Sequence, residues 1–189
     1  MNNYWDKRYK NGGNSGAGSY GHYATHKAEV INKIIVDNKI EIVTEYGCGD
    51  GNQLGFFDGY KEYYGYDISP SILEKNKKTY ENVKRIHFCE NRDDLPKSDL
   101  SLSLDVAYHI MDEVDLIEYL KYMFSKSKKY VLIYTSNHDD NSENTVPDHM
   151  IHRIITNYVD EHIKGFELIN EIDNPLPSSA KFFLYKKTK

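Results

Sequence analysis

The 189 residues predict an α/β fold with a mostly parallel sheet covered by helices on both faces. Three observations carry this. Runs of strand-forming residues alternate with amphipathic helical stretches along most of the chain, and alternation of this kind implies a parallel sheet with right-handed crossovers. The first such run, Ile42-Val43-Thr44-Glu45, leads into glycines on alternate residues, Gly47, Gly49 and Gly51, where the chain must turn sharply and bring bare backbone close to a ligand. An acidic residue, Asp67, then follows Gly47 by twenty positions and ends the second run, the spacing at which a carboxylate can accept the hydroxyls of a ribose.

The length suits one domain, residues 1–189, with a glycine-rich arm or lid over 1–21 and an α/β core over 22–189. Charged residues make up 28% and the net charge is −5, so no basic field draws in nucleic acid or an anionic membrane. Cys48 and Cys89 form no CxxC pair, which suits a reducing, cytoplasmic setting and suggests neither a disulfide nor a zinc site. No apolar leader opens the sequence, and no run of eighteen apolar residues would insert in a membrane. Seventeen tyrosines against seven phenylalanines are read as core rings with hydroxyls at its edge.

Residues 4–10 mix aromatic and basic side chains. Asn11 to Gly21 then carries five glycines in eleven residues, which composition favours as a mobile arm. The sharper alternative is a lid that orders over a ligand through Ser19, Tyr20 and backbone amides. From His22 to Asn38, Ala24, Ala28, Ile31, Ile34 and Ile35 recur at helical spacing, with Lys27, Glu29 and Lys33 expected on the outer side. The first strand, Glu41 to Glu45, and the glycine turn follow. A short helix is expected from Asn52 to Phe57, its free amides adding to those of the turn.

Tyr64-Gly65-Tyr66-Asp67 reads as the second strand, and Ser69-Pro70 opens a helix with Ser69 as cap and Pro70 in the first turn. Val83 to Cys89 gives a third strand, Leu100 to Val106 a fourth, Asp112 to Ser125 a helix and Tyr130 to Thr135 a fifth strand. His138 to His149 is polar and loop-like, and Ile151 to His162 is helical. Phe166 to Ile169 and Lys181 to Tyr185 form a terminal antiparallel pair.

Ligands of such sheets sit beyond the carboxyl ends of the strands, where Glu45 to Gly51, Asp67, Asn91 to Asp94 and Asp105 to His109 converge. The run Gly47-Cys48-Gly49-Asp50-Gly51 lacks the third glycine of the dinucleotide fingerprint. Glu45 and Asp50 would repel a diphosphate yet suit an ammonium or sulfonium group.

On these residues the sequence resembles a class I S-adenosylmethionine-dependent methyltransferase over nearly its whole length. Glu45-Tyr46-Gly47-Cys48-Gly49-Asp50-Gly51 is similar to that family's first motif and Gly65-Tyr66-Asp67 to its second. The resemblance implies a three-layer Rossmann-like methyltransferase sheet with S-adenosyl-L-methionine as cofactor. Glu45, Gly47, Cys48, Gly49 and Gly51 would cradle its methionine part, Asp67 would hold the ribose hydroxyls and Ile68 would flank the adenine. Asp105 and Tyr20 join the expected cofactor contacts. Tyr4 to Tyr9, Gly18 to Gly21, Ser103 to His109 and Tyr134 to Asn137 resemble a narrower bacterial group, often linked to surface-polysaccharide and small-molecule biosynthesis.

A small polar acceptor follows, a sugar or a phosphorylated or anionic precursor methylated at oxygen. His109 is the expected base, with capping of the next helix as its structural alternative. Tyr108, Asn137, His138, His149, His152 and Arg153 are placed on the acceptor side, Arg153 with a histidine holding an anionic group. The histidines and neighbouring aspartates show no tight ligand spacing, and no metal is expected. Cys48 reads as a small filler in the turn. Two rivals stand beside this reading: an NAD-dependent oxidoreductase, and a non-catalytic protein of the same fold that binds a partner.

Overall fold

The computed structural model describes residues 2–142 and 146–188, so the polar loop expected over His138 to His149 lies, at 143–145, outside the described residues. Helix α1 (Asn2–Lys10) is followed by a 3-10 turn at Ala17–Ser19 and by α2 (Gly21–Asp37). Strand β1 (Ile42–Tyr46), a single 3-10 turn at Gln53–Phe56, β2 (Glu62–Tyr66) and α3 (Pro70–Thr79) come next. Then follow β3 (Ile86–Cys89), β4 (Ser98–Leu104), α4 (Glu113–Lys126) and β5 (Ser127–Ser136). Helix α5 (Ile155–His162) and strands β6 (Phe166–Ile172) and β7 (Ala180–Lys187) end the chain.

The seven strands lie in the order β3-β2-β1-β4-β5-β7-β6. The first five are parallel, while β7 enters antiparallel between β5 and β6. This is the mostly parallel sheet that the sequence predicts, with the antiparallel pair at its end. Alternation along β5 and β7 sends side chains to two separate cores. Leu132, Tyr134, Phe182 and Leu184 pack with Ile31 and Ile35 of α2 and Leu73 of α3. Val131, Ile133, Phe183 and Tyr185 pack with Leu116, Leu120 and Phe124 of α4 and Val159 of α5. The helices therefore form a layer on each face.

Strand β4 is buried throughout, its leucines on the α2 face. Its serines survive burial because each finds a hydroxyl: Thr44, Ser98 and Ser101 bond to one another, and Tyr119 donates to Ser103 at 2.7 Å. Ser69 caps α3 by accepting from the Ile72 amide, with Pro70 in the first turn as the sequence predicts.

Two expectations need correction. Lys27 is not on the outer side of α2 but 1% exposed on its inner face, because positions 24, 27, 28 and 31 share one stripe at helical spacing. The helix expected from Ile151 begins at Ile155: the Ile151 amide donates to the Tyr108 carbonyl outside any helix, and Asn137 accepts from the Thr156 amide in the first turn. The arm, which composition favours as mobile and which could also act as a lid, contains α1 and bonds to the glycine turn. Among the described residues no helix is long and apolar enough to cross a membrane.

Candidate functional site

Strands β2, β1 and β4 are neighbours, so the loops after them open side by side at one end of the sheet. The turn after β1 lies between Asp67 on one flank and Asp105 on the other. Gly47 and Gly49 take left-handed backbone, φ 84° and 54°. A Cβ at Gly47 would stand 2.5 Å from Val106 after β4, and one at Gly49 would stand 2.3 Å from Ser15 Oγ of the arm. Both positions need glycine for space as well as for φ.

The amides of this turn are not the outward-facing set expected from the sequence. Gly47 and Cys48 donate to the Tyr66 carbonyl at 2.7 and 3.1 Å, and Gly49 donates to Asp67 Oδ2 at 3.0 Å. Asp50 donates to Ser15 Oγ, Gly51 to the Cys48 carbonyl and Asn52 to Asp50 Oδ1. A loop whose six successive amides are already committed offers no cradle for a pyrophosphate.

Carboxylates ring the cavity instead. Glu45 is 2% exposed, accepts from the Tyr63 hydroxyl at 2.5 Å, and is pushed by burial up to about 7. Asp67 is pushed by burial to about 6, although the Ser69 and Gly49 amides favour its charged form. Asp105 stands just past β4 in left-handed backbone, φ 59°. It accepts from Lys27 Nζ through Oδ2 and from the Tyr108 hydroxyl through Oδ1, both at 2.7 Å. Burial raises the Cys48 thiol well above its ordinary value, which agrees with an inert filler.

The arm forms the outer wall. Asp50 Oδ2 accepts from the Ser15 amide at 2.8 Å and the Tyr20 hydroxyl at 2.7 Å, and Asn52 Nδ2 donates to the Ser19 carbonyl. At the other end of the arm, Asp6 receives the hydroxyls of Ser69 and Ser71 at the start of α3. These contacts bring Trp5, Tyr9 and Ser15 into the cavity wall.

His109 ends the 3-10 turn Ala107–His109 and also lines the cavity. Its Nδ1 lies 3.0 Å from the His149 carbonyl. A carbonyl only accepts, so the proton belongs on Nδ1 and Nε2 carries a lone pair. Burial lowers the basicity of the ring, which keeps it neutral near pH 7. Trp5 meets it edge-on at 4.9 Å and His149 stacks on it at 5.2 Å. The structural alternative fails, because Asp112 caps α4 by accepting from the Asp115 amide.

Of the residues singled out from sequence, Glu45, Gly47, Cys48, Gly49, Asp67, Ile68, Asp105 and His109 line this one cavity. Gly51 and Tyr20 do not; they border a shallow hollow on the other side of the turn, where Tyr20 is held by Asp50. The acceptor-side group is also displaced. Arg153 spends its guanidinium on the carbonyls of Ile110 and Met111, at 2.8 and 2.6 Å, so it holds backbone rather than an acceptor anion. Asn137 serves the start of α5, His152 bonds Ser136 Oγ at 2.6 Å, and His138 packs on the His152 ring. Tyr108 supports Asp105 and His149 supports His109 from behind.

Sequence reasoning missed Lys27, Trp5, Tyr9, Ser15 and Tyr119 in the wall. Lys27 was signalled by its place on the apolar stripe of α2. The others carry no local signal, because the arm and α4 reach the site only in the folded chain. No group of three or more histidine, cysteine or acidic side chains is placed to hold a metal among the described residues.

No family model and no curated protein matches the sequence. Solved structures do. Magnesium protoporphyrin IX methyltransferase from Synechocystis PCC 6803 with bound S-adenosylhomocysteine matches with TM-score 0.73 and 14% identity, over 99% of this chain and 98% of that one. The N-methyltransferase NodS from Bradyrhizobium japonicum WM9, also with S-adenosylhomocysteine, gives 0.70 and 10% identity over 88% of each chain. An S-adenosylmethionine-dependent methyltransferase from Clostridium acetobutylicum ATCC 824 gives 0.67 and 15% identity, over 91% of this chain and 94% of that one. The chain has the class I S-adenosylmethionine-dependent methyltransferase fold.

Proposed function

We propose that this protein, built on that fold, is an S-adenosylmethionine-dependent methyltransferase that acts on a hydroxyl of a small polar acceptor. One observation carries the reading. The turn between Asp67 and Asp105 has its six amides committed internally and carboxylates around it, a site suited to a nucleoside bearing positive charge and unsuited to a diphosphate. The solved structures that hold S-adenosylhomocysteine support the same cofactor.

The residues present fit that cofactor. Asp67 keeps lone pairs beyond its two backbone donors and would take the ribose hydroxyls. Ile68 would lie against the adenine, and Glu45, Gly47, Cys48 and Gly49 would surround the methionine part. Asp105 would face its ammonium. Gly51 and Tyr20 support the turn from outside. When bound, S-adenosylmethionine supplies a methyl group on a positively charged sulfur.

The chain's own contribution is alignment and one proton transfer. Trp5, Tyr9, Tyr46, Tyr119 and Ile110 wall the cavity with rings and apolar surface, which excludes water from the reacting centre. The cavity would hold the acceptor hydroxyl beside His109, facing the methyl group that the bound cofactor would supply. His109 Nε2 would take the hydroxyl proton and release it later to solvent. A sugar hydroxyl in surface-polysaccharide biosynthesis is the acceptor class we favour, on the sequence resemblance. The anionic group expected beside it has lost its arginine partner, since Arg153 is bound to backbone. Both cysteines are free, which supports a cytoplasmic setting.

A thermal-shift comparison tests the cofactor. S-adenosylhomocysteine should raise the melting temperature and NAD should not, since a ligand that binds only the folded state stabilises it by mass action. Stabilisation by NAD alone would overturn the reading in favour of an oxidoreductase. Production of S-adenosylhomocysteine in an acceptor screen separates an enzyme from a non-catalytic binding protein of this fold.

A further inference from the structure

We infer that Lys27 is the receptor for the carboxylate of the cofactor's amino-acid end, and that the Lys27–Asp105 pair selects a zwitterion there. The inference rests on the cofactor reading above. Lys27 is 1% exposed yet lines the cavity. One of its three N–H donors goes to Asp105 Oδ2 at 2.7 Å, and the Tyr134 ring lies 5.2 Å from its nitrogen. Among the described residues, at least one donor is left without a protein acceptor on a side chain that is almost wholly buried.

Position and charge then identify the partner. The sheet order places Asp67 and Asp105 after strands on either side of β1, about 10 Å apart at twice the usual strand spacing. A nucleoside held by its ribose at Asp67 extends its amino-acid end toward Asp105 and Lys27. Among the described residues, two cations of the lysine or arginine type line the cavity, Lys27 and Arg92. Arg92 follows β3 on the far side of Asp67, stacked over Tyr122 at 4.1 Å, and so belongs to the nucleoside end. Among the described residues, Lys27 is the lysine or arginine that faces the other end.

An α-amino acid carries ammonium and carboxylate on one carbon. A fixed ion pair of opposite order is its complement, the carboxylate of Asp105 meeting the ammonium and the ammonium of Lys27 meeting the carboxylate. Tyr108 takes the remaining Asp105 oxygen and fixes its orientation. The arm seals this corner: a Cβ at Gly18 would stand 3.0 Å from Asp105 Oδ2.

The test is calorimetric binding to the full chain, using S-adenosylhomocysteine and its decarboxylated amine, which keeps the ammonium and lacks only the carboxylate. Wild type should prefer S-adenosylhomocysteine by about 10- to 100-fold, the range of one charge-assisted hydrogen bond. In K27M that preference should fall below about 3-fold, and K27R should restore part of it. Should K27M fail to fold with Asp105 left unpaired, K27M/D105N removes both charges and the preference must vanish there. Equal loss of affinity for both ligands, or a preference that survives in these variants, overturns the role of Lys27 while leaving the cofactor assignment standing. Wild type that binds neither ligand overturns the cofactor reading itself, and the inference with it.

Discussion

At the scale of single residues, the site depends on which atoms are already spent. His109 is the proposed base because the His149 carbonyl fixes its tautomer and leaves Nε2 open to the cavity. His109→Ala should lower kcat about 100-fold, within the usual range for a general base, with the affinity for S-adenosylhomocysteine changed less than about 3-fold. Single-turnover kinetics and calorimetry read the two quantities separately, and an unchanged rate removes His109 from the mechanism. Burial lowers its basicity, so the rate should be lost only as pH falls below the ordinary histidine range. An acid limb centred above about 6.5 contradicts that environment. His109 was legible as a candidate because it follows the fourth strand. Its tautomer was not, since the fixing carbonyl is forty residues away. Arg153 makes the opposite point: an arginine among histidines reads as an anion site until its two carbonyl acceptors are seen.

At the scale of elements, the glycine turn and the arm act as one unit. The turn was readable from β-branched residues followed by alternate glycines, and β1 and β2 fell within a residue or two of where that pattern puts them. The arm was not readable, because five glycines suppress any local preference and its order comes from Asp50 and from the Ser69–Ser71 corner of α3. Asp50→Ala removes the charged acceptor shared by the Ser15 amide and the Tyr20 hydroxyl. The contact is half-buried, so the arm's attachment should weaken by about 1–2 kcal/mol, and amides of residues 11–20 should exchange faster by roughly 10-fold. Hydrogen exchange followed by mass spectrometry measures this, and unchanged exchange means that the arm is held by α1 alone.

At the scale of the whole molecule, the end of the sheet that carries the cavity costs stability that the two cores supply. Glu45 is held in the folded state with a value near 7 against its ordinary 4.5. The folded protein therefore binds more protons than the unfolded chain between those values, and this contribution to stability is present at low pH and lost as pH rises through 7. Glu45→Gln keeps an acceptor for Tyr63 and removes the ionisation. Its stability relative to wild type should grow by roughly 2–4 kcal/mol between pH 4 and pH 8, read from urea unfolding at both pH values. The same difference at both ends would mean that Glu45 is not ionised against burial. Local chemistry in the sequence determined the alternation of strands and helices, the glycine turn, the carboxylates at the strand ends and hence one side of the candidate site. Those features follow from propensity, periodicity and spacing within about twenty residues. Only the tertiary structure decided the rest: that Lys27 faces inward to Asp105 across seventy-eight residues, that the arm walls the cavity, and that Arg153 bonds two carbonyls while His152 bonds Ser136. A side chain's partner across the fold is set by sheet order and packing, and neither has a local signature.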